Sequence, residues 1–197
     1  MILASQSPRR IELMREAGFD VTVIPADIDE TALPGENPFA LVERLARAKA
    51  AAVAAAHGEP GEIVVAADTI VTLGGEILGK PHDEADAHRM LGELSGRTHQ
   101  VATGVCIARA GADPASARSF TDVTDVTFYE LTDAEIDAYV TSGEPMDKAG
   151  AYGIQGTRGR MLVRGIDGDF YNVVGLPIAR LARELHAFGQ ENTTNNE

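Results

Sequence analysis

The chain has 197 residues, of which 44% are hydrophobic and 24% charged, and a formal net charge of −13. Those numbers fit one well-buried core and exclude a general affinity for nucleic acid or for anionic membrane surfaces. No apolar run reaches membrane-spanning length, and in MILASQSPRR the basic residues follow a short apolar stretch, the reverse of a secretory signal, so the cytoplasm is the expected compartment.

Ile2 to Ala4 is a short apolar strand. Ser7 followed by Pro8 opens a helix whose apolar face is Ile11, Leu13, Met14 and Ala17, and Gly18 stops it. Val21 to Ile24 is a second strand. Asn37-Pro38 opens a long helix to about Ala56. Ile63 to Ala67 has no polar alternation, as expected of a central strand covered on both faces, and Ile70 to Leu78 reads as a hairpin about Gly74-Gly75. A helix over Asp83 to Leu94 and strands near Val101 to Arg109 and Ser119 to Tyr129 follow, with Ala110 to Ala117 as the loop between the strands. The single Cys106 lies in the strand-like run VATGVCIARA and is expected to be a buried, inert thiol. Thr132 and Glu135 form a capping box opening a helix to about Val140, Met161 to Ile166 is a strand, and Leu176 to Phe188 a closing helix. The mixture of short and long connections defines an α/β protein with a mixed sheet. One domain over 1–189 is expected, with a polar, fraying tail over 190–197 (QENTTNNE).

Of 17 basic residues only three are lysine: Lys49, Lys80 and Lys148. In an arginine-rich background a lysine marks a place suited to a compact, mobile charge, or falls there by chance. Ser5 to Arg10 (SQSPRR) joins the first strand to the first helix, where N–H groups, hydroxyls and arginines can cradle a phosphate; an ordinary capped helix reads the same locally. Asp68 directly follows the apolar strand. It can bind a divalent cation, take a proton from water, or cap a turn. Gly74 to Pro81 fits a P-loop through Lys80, but Pro81 stands where the magnesium-binding hydroxyl belongs, and that reading is rejected. The loop from Glu144 to Gly156 is rich in glycine, and its Gln155 carries the donor and the acceptor needed to read a uracil or thymine edge, unless it is simply an exposed glutamine. Histidine spacings of zinc sites, a dinucleotide fingerprint and a serine-hydrolase elbow are all missing from the sequence.

In order and spacing, SQSPRR at 5–10, IDET at 28–31, Lys49, ADTIV at 67–71, LGKP at 78–81, LSGRTHQVATGV at 94–105, EPMDKAGAYGIQG at 144–156 and IDGDFYNVVGLP at 166–177 resemble the Maf family of nucleotide pyrophosphatases. The resemblance implies a fold similar to the inosine triphosphate pyrophosphatases: a mixed twisted sheet with flanking helices, in two lobes around a cleft, often as a homodimer. It implies hydrolysis of a nucleoside triphosphate to the monophosphate and pyrophosphate with Mg²⁺ or Mn²⁺. It makes Asp68 the base that activates water, with Lys49 and Lys80 beside it in catalysis. Ser5, Arg9, Arg10 and these two lysines hold the triphosphate, and Glu30 joins Asp68 on the metal, with Asp27 and Asp29 as neighbouring candidates. Arg9, Thr69 and Gln155 match positions linked to base choice, in the manner of the branch acting on dTTP and UTP. Two other readings of the same residues are a pyrophosphatase that removes modified nucleotides and a non-catalytic, nucleotide-gated regulator of septum formation.

Overall fold

The fold is described from a computed structural model covering residues 1–190. The expected polar tail lies outside the described residues except for Gln190, which closes the last helix. The strands are β1 (Ile2–Leu3), β2 (Thr22–Val23), β3 (Ile63–Leu73), β4 (Glu76–Leu78), β5 (Thr98–Arg109), β6 (Arg118–Phe128) and β7 (Val163–Asp167). The helices are α1 (Pro8–Glu16), α2 (Pro38–His57), α3 (Glu84–Leu94), α4 (Asp133–Val140), α5 (Phe170–Val174) and α6 (Ile178–Gln190). The strands form one seven-stranded sheet in the order β2-β1-β3-β5-β6-β7, with β4 paired to β3. The sheet is mixed, as expected: β1 is parallel to β2 and to β3, whereas β3–β4 and β6–β7 are antiparallel.

One boundary differs from the sequence reading in a way that matters. Ile63–Ala67 and the first arm of the hairpin are a single eleven-residue strand, β3, so Asp68 lies inside a strand and not beyond its end. The β-branched run Thr69-Ile70-Val71-Thr72 keeps the backbone extended, and from Val71 to Leu73 the strand pairs with β4. The strand ends at Gly74 and Gly75, whose φ values of 61° and 90° supply the positive dihedrals of a tight hairpin turn. The helix α5, which the sequence reading left without an assignment, is a five-residue piece inside IDGDFYNVVGLP.

The contacts gather into two compact units. Unit 1 comprises 1–68, 103–122 and the C-terminal segment from 175; unit 2 comprises 69–102 and 123–174. In unit 1, α2 lays Ala46, Ala50 and Val53 against Ile2, Ala4, Val64, Ala66, Cys106 and Ala108. Asn37 caps α2, its side chain accepting from the amides of Phe39 and Ala40, and Pro38 occupies the first turn, where no N–H is needed. The close approach of α2 depends on Gly104: a Cβ there would lie 2.3 Å from the Val42 carbonyl oxygen. Unit 2 is centred on a T-shaped trio of His99, Phe128 and Tyr152. The Thr132–Glu135 capping box forms as read from the sequence.

Candidate active site

Five of the candidate residues meet in unit 1. The helix α2 carries Lys49 on its core-facing side, and β3 carries Asp68. Lys49 is 8% exposed and Asp68 9%. Lys49 Nζ donates to Asp68 Oδ1 at 2.6 Å and lies 2.7 Å from Glu30 Oε1. An ammonium nearly withdrawn from water is therefore matched by two carboxylates, which offsets its desolvation. Of the three neighbouring acids, Glu30 is the one that reaches this lysine, while the Asp29 carboxylate accepts from the Thr31 amide at 2.9 Å. Hydrogen bonding from the Thr31 hydroxyl, and then from its amide, holds Asp29 below the usual carboxylate range.

Ser5 and Arg10 stand beside this cluster. Arg10 Nε donates to the Gly175 carbonyl and Nη1 to the Ala67 carbonyl, each at 2.8 Å, and Nη1 also reaches Ser5 Oγ at 3.2 Å. Ser5 Oγ accepts from the Ser7 amide at 3.2 Å as well. The side chain of Ser7, read as the helix cap, makes no capping bond; Pro8 starts α1 and Ser5 organises the turn. Burial pushes the Arg10 guanidinium below its ordinary pKa, with Asp68 and Glu30 opposing that shift and Arg9 adding to it. Arg10 is thus a brace between backbone carbonyls next to the acid, a role the sequence pattern alone did not show.

Thr69, Lys80 and Gln155 belong to unit 2. Thr69 follows Asp68 in β3 and is partly buried, and Lys80 is exposed just after β4. Gln155 is partly buried in the loop after α4. Glu144 ties that loop together. Its carboxylate accepts from the amides of Arg158 and Gly159, both at 3.3 Å, and from the Tyr139 hydroxyl at 3.4 Å. Lys148 donates to the Glu144 carbonyl and to Asp147, so the third lysine serves the loop itself. The loop also passes through Ala151 at φ 57°, a left-handed conformation uncommon outside glycine. Two further polar residues hold unit 2 together without having been singled out in the sequence. Asn172 Nδ2 donates to the Val101 carbonyl at 3.0 Å and to Thr124 Oγ1 at 2.9 Å. His99 Nε2 lies 2.8 Å from the Tyr152 hydroxyl. A lone asparagine within FYNVVG was the available signal for the first.

Among the described residues no group of three or more His, Cys, Asp and Glu side chains forms a protein-only metal cage. Two carboxylates converging on one point do fit a hard divalent cation that takes its remaining ligands from phosphate oxygens and water. Among the described residues no helix is long and apolar enough to cross a membrane.

The fold and the cluster together define a mixed α/β protein with an acid–lysine–acid centre. The Maf-like protein family model matches residues 1–188, and the chain belongs to that family. A protein of Anaeromyxobacter dehalogenans named dTTP/UTP pyrophosphatase is 52% identical over 189 residues, covering 96% of this chain and 94% of its own. One of the same name from Symbiobacterium thermophilum is 51% identical over the same shares. Among solved structures, the Staphylococcus aureus Ham1 protein is similar with a TM-score of 0.51 at 18% identity, covering 82% of this chain and 79% of its own, a likeness of fold alone.

Proposed function

We propose that this chain hydrolyses nucleoside triphosphates, with dTTP and UTP preferred, to the monophosphate and pyrophosphate. The observation that carries the reading is the nearly buried Asp68 carboxylate held by Lys49 beside Glu30, in a chain whose relatives at about half identity bear the name dTTP/UTP pyrophosphatase.

The chemistry asks little covalent work of the protein. Water attacks the α-phosphorus, the new P–O bond replaces the bond to the bridging oxygen of the β-phosphate, and pyrophosphate departs. In the nucleotide-free protein Lys49 holds one oxygen of Asp68, Oδ1, and we assign proton acceptance from the water to the other, Oδ2. Lys49 and Lys80 stabilise charge on the triphosphate, and Ser5 and Arg9 add donors at the start of α1. Arg10 keeps the Ala67 carbonyl, and with it the backbone entering Asp68, in place. Glu30 and Asp68 would hold a Mg²⁺ or Mn²⁺, which would supply Lewis-acid polarisation of the phosphoryl oxygens. Gln155 pairs with the uracil or thymine edge through its amide, with Thr69 and Arg9 contributing to base choice. A cytoplasmic homodimer belongs to the same proposal, its assembly being measurable by sedimentation.

The test is product analysis with Mg²⁺ or Mn²⁺ across dTTP, UTP, CTP, ATP, GTP and methylated bases. Pyrophosphate from dTTP and UTP is expected, and Asp68→Asn is expected to lower kcat by about 10²–10⁴-fold with nucleotide affinity retained. Orthophosphate as the product, or near-normal turnover by Asp68→Asn, overturns the assignment. A methylated nucleotide as the best substrate moves the chain to the removal of modified nucleotides, and binding without product to the regulatory role.

A further inference from the structure

Lys49 Nζ lies at the convergence of Asp68 Oδ1, 2.6 Å away, and Glu30 Oε1, 2.7 Å away. That is the point a divalent cation shared by the two oxygens would take. A metal arriving there meets an ammonium at contact distance; Lys49 at 8% and Asp68 at 9% exposed screen that repulsion little, while the Glu30 side chain, 57% exposed, faces water. Two carboxylates with one of their charges neutralised make a poor site for a cation that gives up its hydration water reluctantly. Lysine, unlike arginine, carries its charge on a flexible four-carbon stem and can exchange one anionic partner for another.

We propose that Lys49 is a resident counter-ion that keeps divalent metal off Glu30 and Asp68 in the free protein, and that the triphosphate admits the metal by drawing the Lys49 ammonium onto its own oxygens. The inference rests on the metal-dependent reading above and adds an order of events to it. The polyphosphate offers the ammonium a more highly charged partner and at the same time brings the oxygens that complete a metal's coordination. Metal and nucleotide then bind with positive coupling, and each must tighten the other by the same factor.

The experiment is a Mn²⁺ titration of nucleotide-free protein, read from the electron paramagnetic resonance signal of free Mn²⁺, on the wild type, Lys49→Met and Lys49→Gln. Both variants are expected to bind Mn²⁺ about tenfold more tightly than the wild type. Adding Glu30→Gln is expected to abolish the gain. Equal or weaker affinity in both variants overturns the proposal. A second measurement uses the wild type alone, since with three lysines in the chain the ¹⁵N ammonium resonances are few. The Lys49 resonance is expected to stay unmoved with Mg²⁺ alone and to shift with Mg²⁺ plus α,β-imido-dUTP. A shift with Mg²⁺ alone overturns the proposal. If the wild type takes up Mn²⁺ with the analogue while both variants match the free wild type, the metal reading stands and only the role of Lys49 falls. If neither the variants nor the wild type with analogue takes up Mn²⁺, the metal reading itself fails.

Discussion

Arg10 Nη1 donates to the carbonyl oxygen of Ala67 across 2.8 Å, and Ala67 is the residue immediately before Asp68. Through Nε the same guanidinium holds Gly175 at the entrance to α6. Lysine cannot bridge both carbonyls. Arg10→Lys is therefore expected to lower the unfolding free energy by about 2–3 kcal/mol, the usual worth of hydrogen bonds from a charged donor. Urea denaturation measures it. Unchanged stability would mean that Arg10 serves as a phosphate-binding charge and not as a brace.

Gly104 sits under α2, where an added Cβ would lie 2.3 Å from Val42 O, 2.4 Å from Val42 C and 2.6 Å from Glu43 N. These are backbone atoms and cannot rotate away. Gly104→Ala is expected to cost about 3 kcal/mol or more, at the upper end of overpacking effects. Because α2 carries Lys49, turnover should fall further than the folded fraction does. A melting curve beside an activity assay separates the two effects.

His99 is 2% exposed, and burial pushes its pKa from 6.5 down to about 4, with Asp125 opposing. The unfolded chain binds this proton more tightly than the folded one. The stability His99 contributes is therefore intact above about pH 6.5, is lost progressively between there and about pH 4, and falls little further below that. The slope approaches about 1.4 kcal/mol per pH unit, or about 3 kcal/mol by pH 4. Denaturation midpoints across that range should fall for the wild type, and His99→Gln should remove this part of the slope.

Cys106 is 1% exposed, and burial raises its thiol to about 11. It borders an open groove of about 810 Å³ in unit 1, yet its sulfur stays in the core. With little thiolate at neutral pH, the native protein should react negligibly with a disulfide reagent at pH 8 and yield one thiol per chain in denaturant. Rapid reaction of the native protein would contradict the buried, inert reading.

Sequence reasoning succeeded where the signal is local and periodic. The Asn37-Pro38 start of α2, the Thr132–Glu135 capping box and the unalternating run Ile63–Ala67 all concern residues close in the chain, whose hydrogen bonds or apolar pattern leave few alternatives. Rarity among arginines marked Lys49, Lys80 and Lys148 alike and did not tell which of them meets Asp68. What the sequence did not disclose are pairings set by tertiary packing: Arg10 with Gly175, 165 residues away, and His99 with Tyr152, 53 away. An arginine in SQSPRR has the same composition whether it faces a phosphate or a carbonyl. Only the position of its partners decides.

Asp68 lies in the middle of β3, with Ala67 on one side and Thr69 on the other. Neighbouring residues of a strand point to opposite faces of the sheet, so the face on which the acid meets Lys49 is set by the residue count along β3. Upstream the count is fixed where Val64 and Val65 pair with Ile2 and Leu3, and downstream where Leu73 pairs with Glu76 across the Gly74-Gly75 turn. A single residue inserted or deleted between those two anchors would present alanine or threonine in place of the carboxylate while changing hydrophobicity little. The sheet has, in effect, a reading frame. In this protein a slip of one residue in β3 would take the Asp68 carboxylate away from Lys49 without replacing either residue.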